Sequence, residues 1–311
     1  MKMVENIYIT KVNPIISNES SLIKFYNIEN TNSNNSLDTD SFISVIYSNP
    51  SYFHINKITL DNEYYIYNEL KGNSAIPIIK SPICTDIIDN KAIYGFLSEK
   101  FLINLDNEER WRREKCPFSL EEVKSILYKL TVILENAESK GIYHGPITLY
   151  NILRTYSMDI KLVGWSQEHQ FRDHQVKLVW TSEQSPGFWN FVCNSFRSED
   201  EVRNEYYDKN VFKRDIYSLG RVVLKLLNKN ENKWEKELSE KAKDDAIINI
   251  LKKILDQNVN ERYSFIELKK ELERNKYDTI EIRKEVNRNS FNFIKKVAKQ
   301  KNGINIQEEF N

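Results

Sequence analysis

The residues with the most chemical potential sit close together in Gly141-Ile142-Tyr143-His144-Gly145-Pro146-Ile147-Thr148-Leu149-Tyr150-Asn151-Ile152-Leu153. A second short run follows, Ile160-Lys161-Leu162-Val163-Gly164-Trp165-Ser166. An imidazole can carry a proton, and an amide can ligate a hard cation or hold a loop by hydrogen bonds. No Asp or Glu lies between Gly141 and Leu153, so His144 has no acid beside it in sequence. His144 is therefore read as a core histidine. Asn151 is read as a loop-stabilising amide, and it is also the candidate ligand for a nucleotide or metal. His169 and His174 flank Asp173, but a spacing of five suits neither a helix face nor a strand face, and an exposed loop is the simpler reading.

These residues must be positioned by what surrounds them. Ser119 and Glu122 form a capping-box pattern, behind which Val123, Ile126, Leu127, Leu130, Ile133 and Leu134 repeat at helical spacing up to Gly141. Further helices are expected at 212–228, 240–256, 264–275 and 290–300. Ahead of them, Ile7-Tyr8-Ile9-Thr10, Ser21 to Tyr26 and Ser41 to Tyr47 read as half-buried strands, with a polar loop between the last two. A short helix is expected from Asp61 to Leu70, then strand-like runs around Ile76–Ile79 and Ile93–Leu97. Strands first and helices after imply an α+β fold with two lobes.

Composition bounds the rest. The chain has 311 residues, 40% of them hydrophobic, with 17 Tyr and 15 Phe, enough to build a core. Lys and Arg total 45 and so do Asp and Glu, so no global basic surface invites nucleic acid or acidic membrane. Cys84, Cys116 and Cys193 are widely spaced, against a disulfide framework and in keeping with a reducing compartment. No apolar run approaches the ~18 residues of a membrane span. An intracellular protein, cytoplasmic or nuclear, is expected. The basic tail from Asp278 reads as a solvated helix, and Trp180, Phe188, Trp189 and Phe191 read as core packing.

The order of a long helix, a His-to-Asn loop and two short β runs resembles the catalytic and metal-binding loops of protein kinases, nearest to the casein kinase I, vaccinia-related and poxvirus kinase branch. The resemblance spans roughly residues 7–275. It implies a β-rich lobe over 1–100, a helical lobe over 101–275 and an extension over 276–311, with a hinge near Ser98-Glu99-Lys100. Pro146 then stands where the catalytic Asp accepts a proton, Thr148 where a Lys steadies the γ-phosphate, and Gly164 where an Asp holds the metal. Trp165 takes a Phe position, and Asn151 matches a metal-ligating Asn. Asp215 would brace the loop backbone, and Arg262 would pair with Glu183. Glu63 matches the helix Glu that pairs with a strand Lys, whose place falls to Tyr47 or Lys57. Residues 13–24 contain none of the glycines that a phosphate-covering loop uses.

Retained packing residues beside lost chemical ones lead to the expectation of a catalytically inactive kinase-like domain, not an enzyme. It would have weak or absent ATP and Mg²⁺ binding and would act as a regulatory or scaffolding module. Its partner would be a protein, an active kinase or a substrate of one. The alternative is an atypical Ser/Thr kinase, or another ATP-dependent phosphoryl or nucleotidyl transferase, recruiting Asp159 or Asp173 beside Asn151. A third reading is a mixed α+β interaction module.

Overall fold

The computed structural model describes residues 24–27, 41–46, 53–88, 91–99, 101–145, 147–155, 157–165, 211–229, 233–241 and 245–277. Strands β1 (Lys24–Asn27) and β2 (Ser41–Ile46) are followed by helix α1 (Phe53–Glu69). Strands β3 (Cys84–Ile88) and β4 (Lys91–Ser98) complete an antiparallel sheet of order β1-β2-β4-β3. Register is fixed with Ser41 opposite Ser98 and Ile46 opposite Ile93. Helix α1 packs on this sheet through aromatic edges: the Tyr64 and Tyr67 rings meet Phe96 edge-on at 5.2 and 6.0 Å.

Two local expectations need correcting here. The helix begins at Phe53, not Asp61, and so runs through the β-branched residues Ile55, Ile58 and Thr59. The run Ile76–Ile79 forms no strand, only an isolated bridge from Ile79 to Ser98, since Pro77 cannot donate to a ladder.

Beyond residue 100 the helices take over. Strand β5 (Phe101–Asn104) leads directly into α2 (Leu105–Arg112), whose N-cap is Asn104. Helix α3 (Leu120–Ser139) starts at the anticipated capping box: Ser119 Oγ accepts from Glu122 N at 3.2 Å, and the Glu122 carboxylate accepts from Ser119 N at 2.8 Å. A 3₁₀ turn at Leu149–Asn151 opens β6 (Ile152–Thr155), which pairs with β7 (Ile160–Leu162) in a second antiparallel sheet of order β5-β6-β7. Among the described residues four helices follow: α4 (Val211–Leu226), α5 (Trp234–Lys241), α6 (Asp245–Ile254) and α7 (Phe265–Arg274). The helix expected over 240–256 corresponds to α6, Asp245–Ile254.

The helical core is built from Leu127, Leu130 and Leu134 of α3, Leu219 and Val223 of α4, Leu251 of α6 and Leu268 of α7, all essentially inaccessible. Each such side chain contributes on the order of 1.5–3 kcal/mol of transfer free energy. Gly220 lets α4 approach closely, for a Cβ there would lie 2.6 Å from Leu255 Cδ2. The fold is α+β, strand-rich first and helix-rich after. No helix among the described residues is long and apolar enough to cross a membrane.

Candidate functional site

The His-to-Asn loop leaves the C-terminal end of α3 at Gly141 and is held from below by α4. Asp215, 0% exposed, spends one carboxylate oxygen on each of two consecutive amides: His144 N–H at 2.8 Å and Gly145 N–H at 2.9 Å. This is the brace anticipated for it. Carboxylate-to-amide bonds of this kind are charge-assisted and satisfy donors that water cannot reach.

His144 is a core residue. Its Nε2 lies 2.9 Å from the Val163 carbonyl, and its ring meets Trp165 edge-on at 4.9 Å. Facing a carbonyl, Nε2 must carry the proton, which assigns the neutral tautomer. Burial depresses its pKa to about 4, outweighing the opposing hydrogen bonds to backbone at Val163 and Gly145. Trp165 is fully buried and anchors its indole N–H on the Leu162 carbonyl at 3.0 Å.

Thr148 and Asn151 are joined to each other. Asn151 Oδ1 accepts from Thr148 Oγ1 at 2.6 Å and from Thr148 N–H at 3.2 Å, capping the 3₁₀ turn. The Asn151 carbonyl in turn accepts from Val163 N–H at 2.9 Å, which ties the loop to the segment leading to Gly164. An incoming cation would have to displace both Thr148 donors from Oδ1. Among the described residues no three His, Cys, Asp or Glu side chains converge as metal ligands. We assign no step to a metal.

Gly164 has φ +88°, a region L side chains rarely adopt, so its backbone as well as its missing side chain sets it apart. Its N–H donates at 2.7 Å to Glu63 Oε1. Glu63 is 0% exposed, projects from α1, and also accepts from the Tyr67 hydroxyl. Burial, with the Glu63 charge second, pushes the Tyr67 phenol well above its ordinary value. A carboxylate therefore does reach position 164, but from another element. Sequence reasoning singled out Glu63 yet assigned it a strand Lys as partner. Lys57 cannot be that residue, for it lies within α1 itself.

Other assignments separate from the site. Asp159 sits at the β6–β7 turn, with Oδ1 3.1 Å from Lys129 Nζ, at the opposite end of the hairpin from Asn151 and Gly164. It cannot replace a missing carboxylate there. Arg262 donates to the backbone carbonyls of Asp256 (2.7 Å) and Lys213 (3.1 Å) and stacks on Tyr217 at 4.6 Å. Sequence reasoning missed Lys161, whose Nζ reaches Glu99 Oε1 at 2.8 Å and the Ile76 carbonyl at 3.1 Å. It thereby fastens β7 to the link between the two sheets. Pro146, Tyr47, residues 13–23, His169, Asp173, His174, Trp180, Glu183, Phe188, Trp189, Phe191, Cys193 and the tail from Asp278 lie outside the described residues.

No family model matches the chain. The RIO-type serine/threonine-protein kinase Rio2 of Methanocaldococcus jannaschii is 27% identical to it over 117 residues, 38% of this chain and 39% of that kinase. The chain thus spans about two fifths of the length of the curated relative it matches. That relative belongs to the protein kinase-like superfamily, though not to the branch the motifs suggested. It also overturns the expectation that this chain is not an enzyme, because the relative is named a serine/threonine kinase.

Proposed function

We propose that this chain is an atypical kinase-like phosphoryl transferase. It would pass the terminal phosphoryl of ATP to a protein Ser or Thr through a rearranged site. Two lobes, 1–100 and 101–275, flank the link at Glu99, and residues 276–311 extend beyond them. The observation that carries the reading is the likeness to a named serine/threonine kinase. The contact of Glu63 with Gly164 supports it, since a carboxylate stands within 2.7 Å of the backbone where the kinase pattern loses one. The loop frame of Asp215 and His144 is in place to hold such a site.

The reading makes Glu63 the carboxylate of the site and assigns Asn151 and Thr148 to the loop's structure. Phosphoryl transfer depends mainly on positioning and electrostatics, so the reading takes a carboxylate delivered from a neighbouring helix as the source of the charge that the motif lacks. The partner is the protein bearing the acceptor hydroxyl.

The test is transfer of labelled phosphate from ATP, with Mg²⁺ or Mn²⁺, to the chain itself and to a generic acceptor. Wild type should transfer, and Glu63→Gln should lose at least about tenfold, the equivalent of one charge-assisted contact. Absence of transfer together with an ATP-independent melting temperature would sink the proposal. At 100 times Kd, a bound ligand should stabilise by about 2.7 kcal/mol.

A further inference from the structure

A buried ionic chain links α2 to β6 and to the start of α3. Arg154 of β6 donates through Nε to Glu108 Oε2 at 2.6 Å, and Glu108 Oε1 lies 3.1 Å from Arg112 Nη1. Arg112 Nη2 then reaches Glu122 Oε2 at 2.7 Å, the oxygen that also caps α3 at Ser119 N–H. All four side chains are 0–2% exposed. The Arg112 guanidinium stacks over Phe118 at 3.9 Å and donates Nε to the Cys116 carbonyl at 2.9 Å. Arg154 spends Nη1 on the Met158 carbonyl at 3.2 Å.

Two cations and two anions balance, but desolvating four charges is costly. A set of this kind is seldom worth more to stability than well-packed apolar residues of similar volume. What it supplies is geometry, because planar guanidinium forks accept few relative placements of their carboxylates. The placement fixed here is that of β6, which begins one residue after Asn151. The outer side of α2 grips the same segment. Arg110 Nη2 contacts the Tyr150 hydroxyl at 2.9 Å, while Arg110 Nε pairs with Asp106 at 2.9 Å. Burial, followed by the Asp106 charge, pushes the Tyr150 phenol up to about 12, so it stays a hydrogen-bonding group at neutral pH.

We infer that α2 is the element that positions the Tyr150–Arg154 segment, with Glu108 as its central positioning residue. Glu108 binds Arg154 on one side and Arg112 on the other. The Asn151 cap, and through its carbonyl the Val163–Gly164 backbone, take their place from this grip. Glu108 touches no reacting group. Its influence runs through Arg154 and the loop.

Three proteins test this: wild type, Glu108→Gln, and an apolar replacement carrying Glu108→Leu, Arg112→Met, Arg154→Met and Glu122→Gln. Glu108→Gln leaves two buried guanidiniums short of charge and should destabilise. The apolar set should regain wild-type melting, as apolar replacements of buried ion sets often do. If α2 only stabilises, amide exchange over 147–153 in the apolar set should match wild type once melting does. If α2 positions the loop, exchange there should stay about tenfold faster at equal melting temperature, while the 123–134 amides of α3 are unchanged. Equal exchange would overturn the inference. Should the apolar set fail to fold, the pair Glu108→Gln and Arg110→Ala decides it. Both should speed exchange at 149–151 beyond the change their global stability predicts, and a change equal to the global one overturns it. The exchange measurements do not rest on the proposed kinase reading, so a wild type inactive in phosphate transfer would fail that reading alone.

Discussion

Two fully buried carboxylates, Asp215 and Glu63, hold the backbone of the candidate site, and they do so differently. Asp215 gives both oxygens to consecutive amides of one loop, at 2.8 and 2.9 Å. Glu63 divides its attention between a phenol on its own helix and the amide of Gly164, 101 residues away in sequence. The first arrangement is a frame, with each oxygen engaged by a loop amide. The second brings charge to the position where the chain's own motif has none. A frame can thus stay recognisable while the source of its charge moves to another element.

The largest effect that would break this comparison is at Asp215. Asp215→Ala leaves two buried amide donors without an acceptor and should cost about 4 kcal/mol, read from the midpoint shift in urea unfolding. Asp215→Asn keeps one acceptor oxygen and should cost about half as much. If both variants cost under about 1 kcal/mol, the loop does not depend on the brace.

The frame was legible in sequence and the charge was not. Asp215 was found because its helix and the His-to-Asn loop carry a recognisable order, and the capping signal at Ser119 is local by nature. Glu63 was noticed, but its partner is a backbone amide, and backbone groups leave no trace in residue identity. Lys57 was named because it is the Lys nearest the expected place at Tyr47, and the helix that carries Glu63 begins before it. Asp159 looked close to Gly164 in sequence, yet a hairpin puts its turn and its open end at opposite poles. The Glu108–Arg112 spacing of four was a visible hint of a pair, while Arg154 and Glu122 joined it only through tertiary packing. Fold class followed from element order, whereas the site's wiring followed from contacts that span the chain.

The next test concerns acid. His144 has its folded pKa depressed from 6.5 to about 4 by burial. A depressed pKa means the unfolded chain binds a proton first, so stability is fully present above pH 6.5 and is lost as pH falls through 4. The loss should total about 3 kcal/mol, as a one-proton slope between those limits. His144→Phe keeps a ring against Trp165 and should remove that slope while lowering stability at pH 7. An unchanged slope would place the acid sensitivity elsewhere.

Glu63 and Tyr67 sharpen the other half of the comparison at alkaline pH. The phenol of Tyr67 is raised above its ordinary 10.0, chiefly by burial and then by the Glu63 charge. A raised folded pKa contributes stability that is present below pH 10 and lost as pH rises through the folded value. Tyr67→Phe should flatten this alkaline loss and cost about 1 kcal/mol at pH 7 through the missing donor. Glu63→Gln should lower the pH at which Tyr67 ionises, followed by its ultraviolet absorbance. A Tyr67 titration indifferent to Glu63 would separate the pair.

The last test is at Gly164, where the two regions meet. Its φ of +88° suits glycine, and Gly164→Ala should cost about 1–2 kcal/mol from backbone strain alone. Gly164→Asp restores the motif carboxylate and tolerates positive φ better than Ala, but it sets a second negative charge beside Glu63, so it should cost more than the neutral Gly164→Asn. Thermal unfolding of the two variants beside Gly164→Asn, which tolerates positive φ better and adds no charge, separates strain from repulsion. If Asp is no worse than Asn, the Glu63 carboxylate is not felt at position 164. If Asp is worse than Asn in wild type but not in a Glu63→Gln background, the charge there belongs to Glu63, and a second carboxylate is excluded by the one already in place.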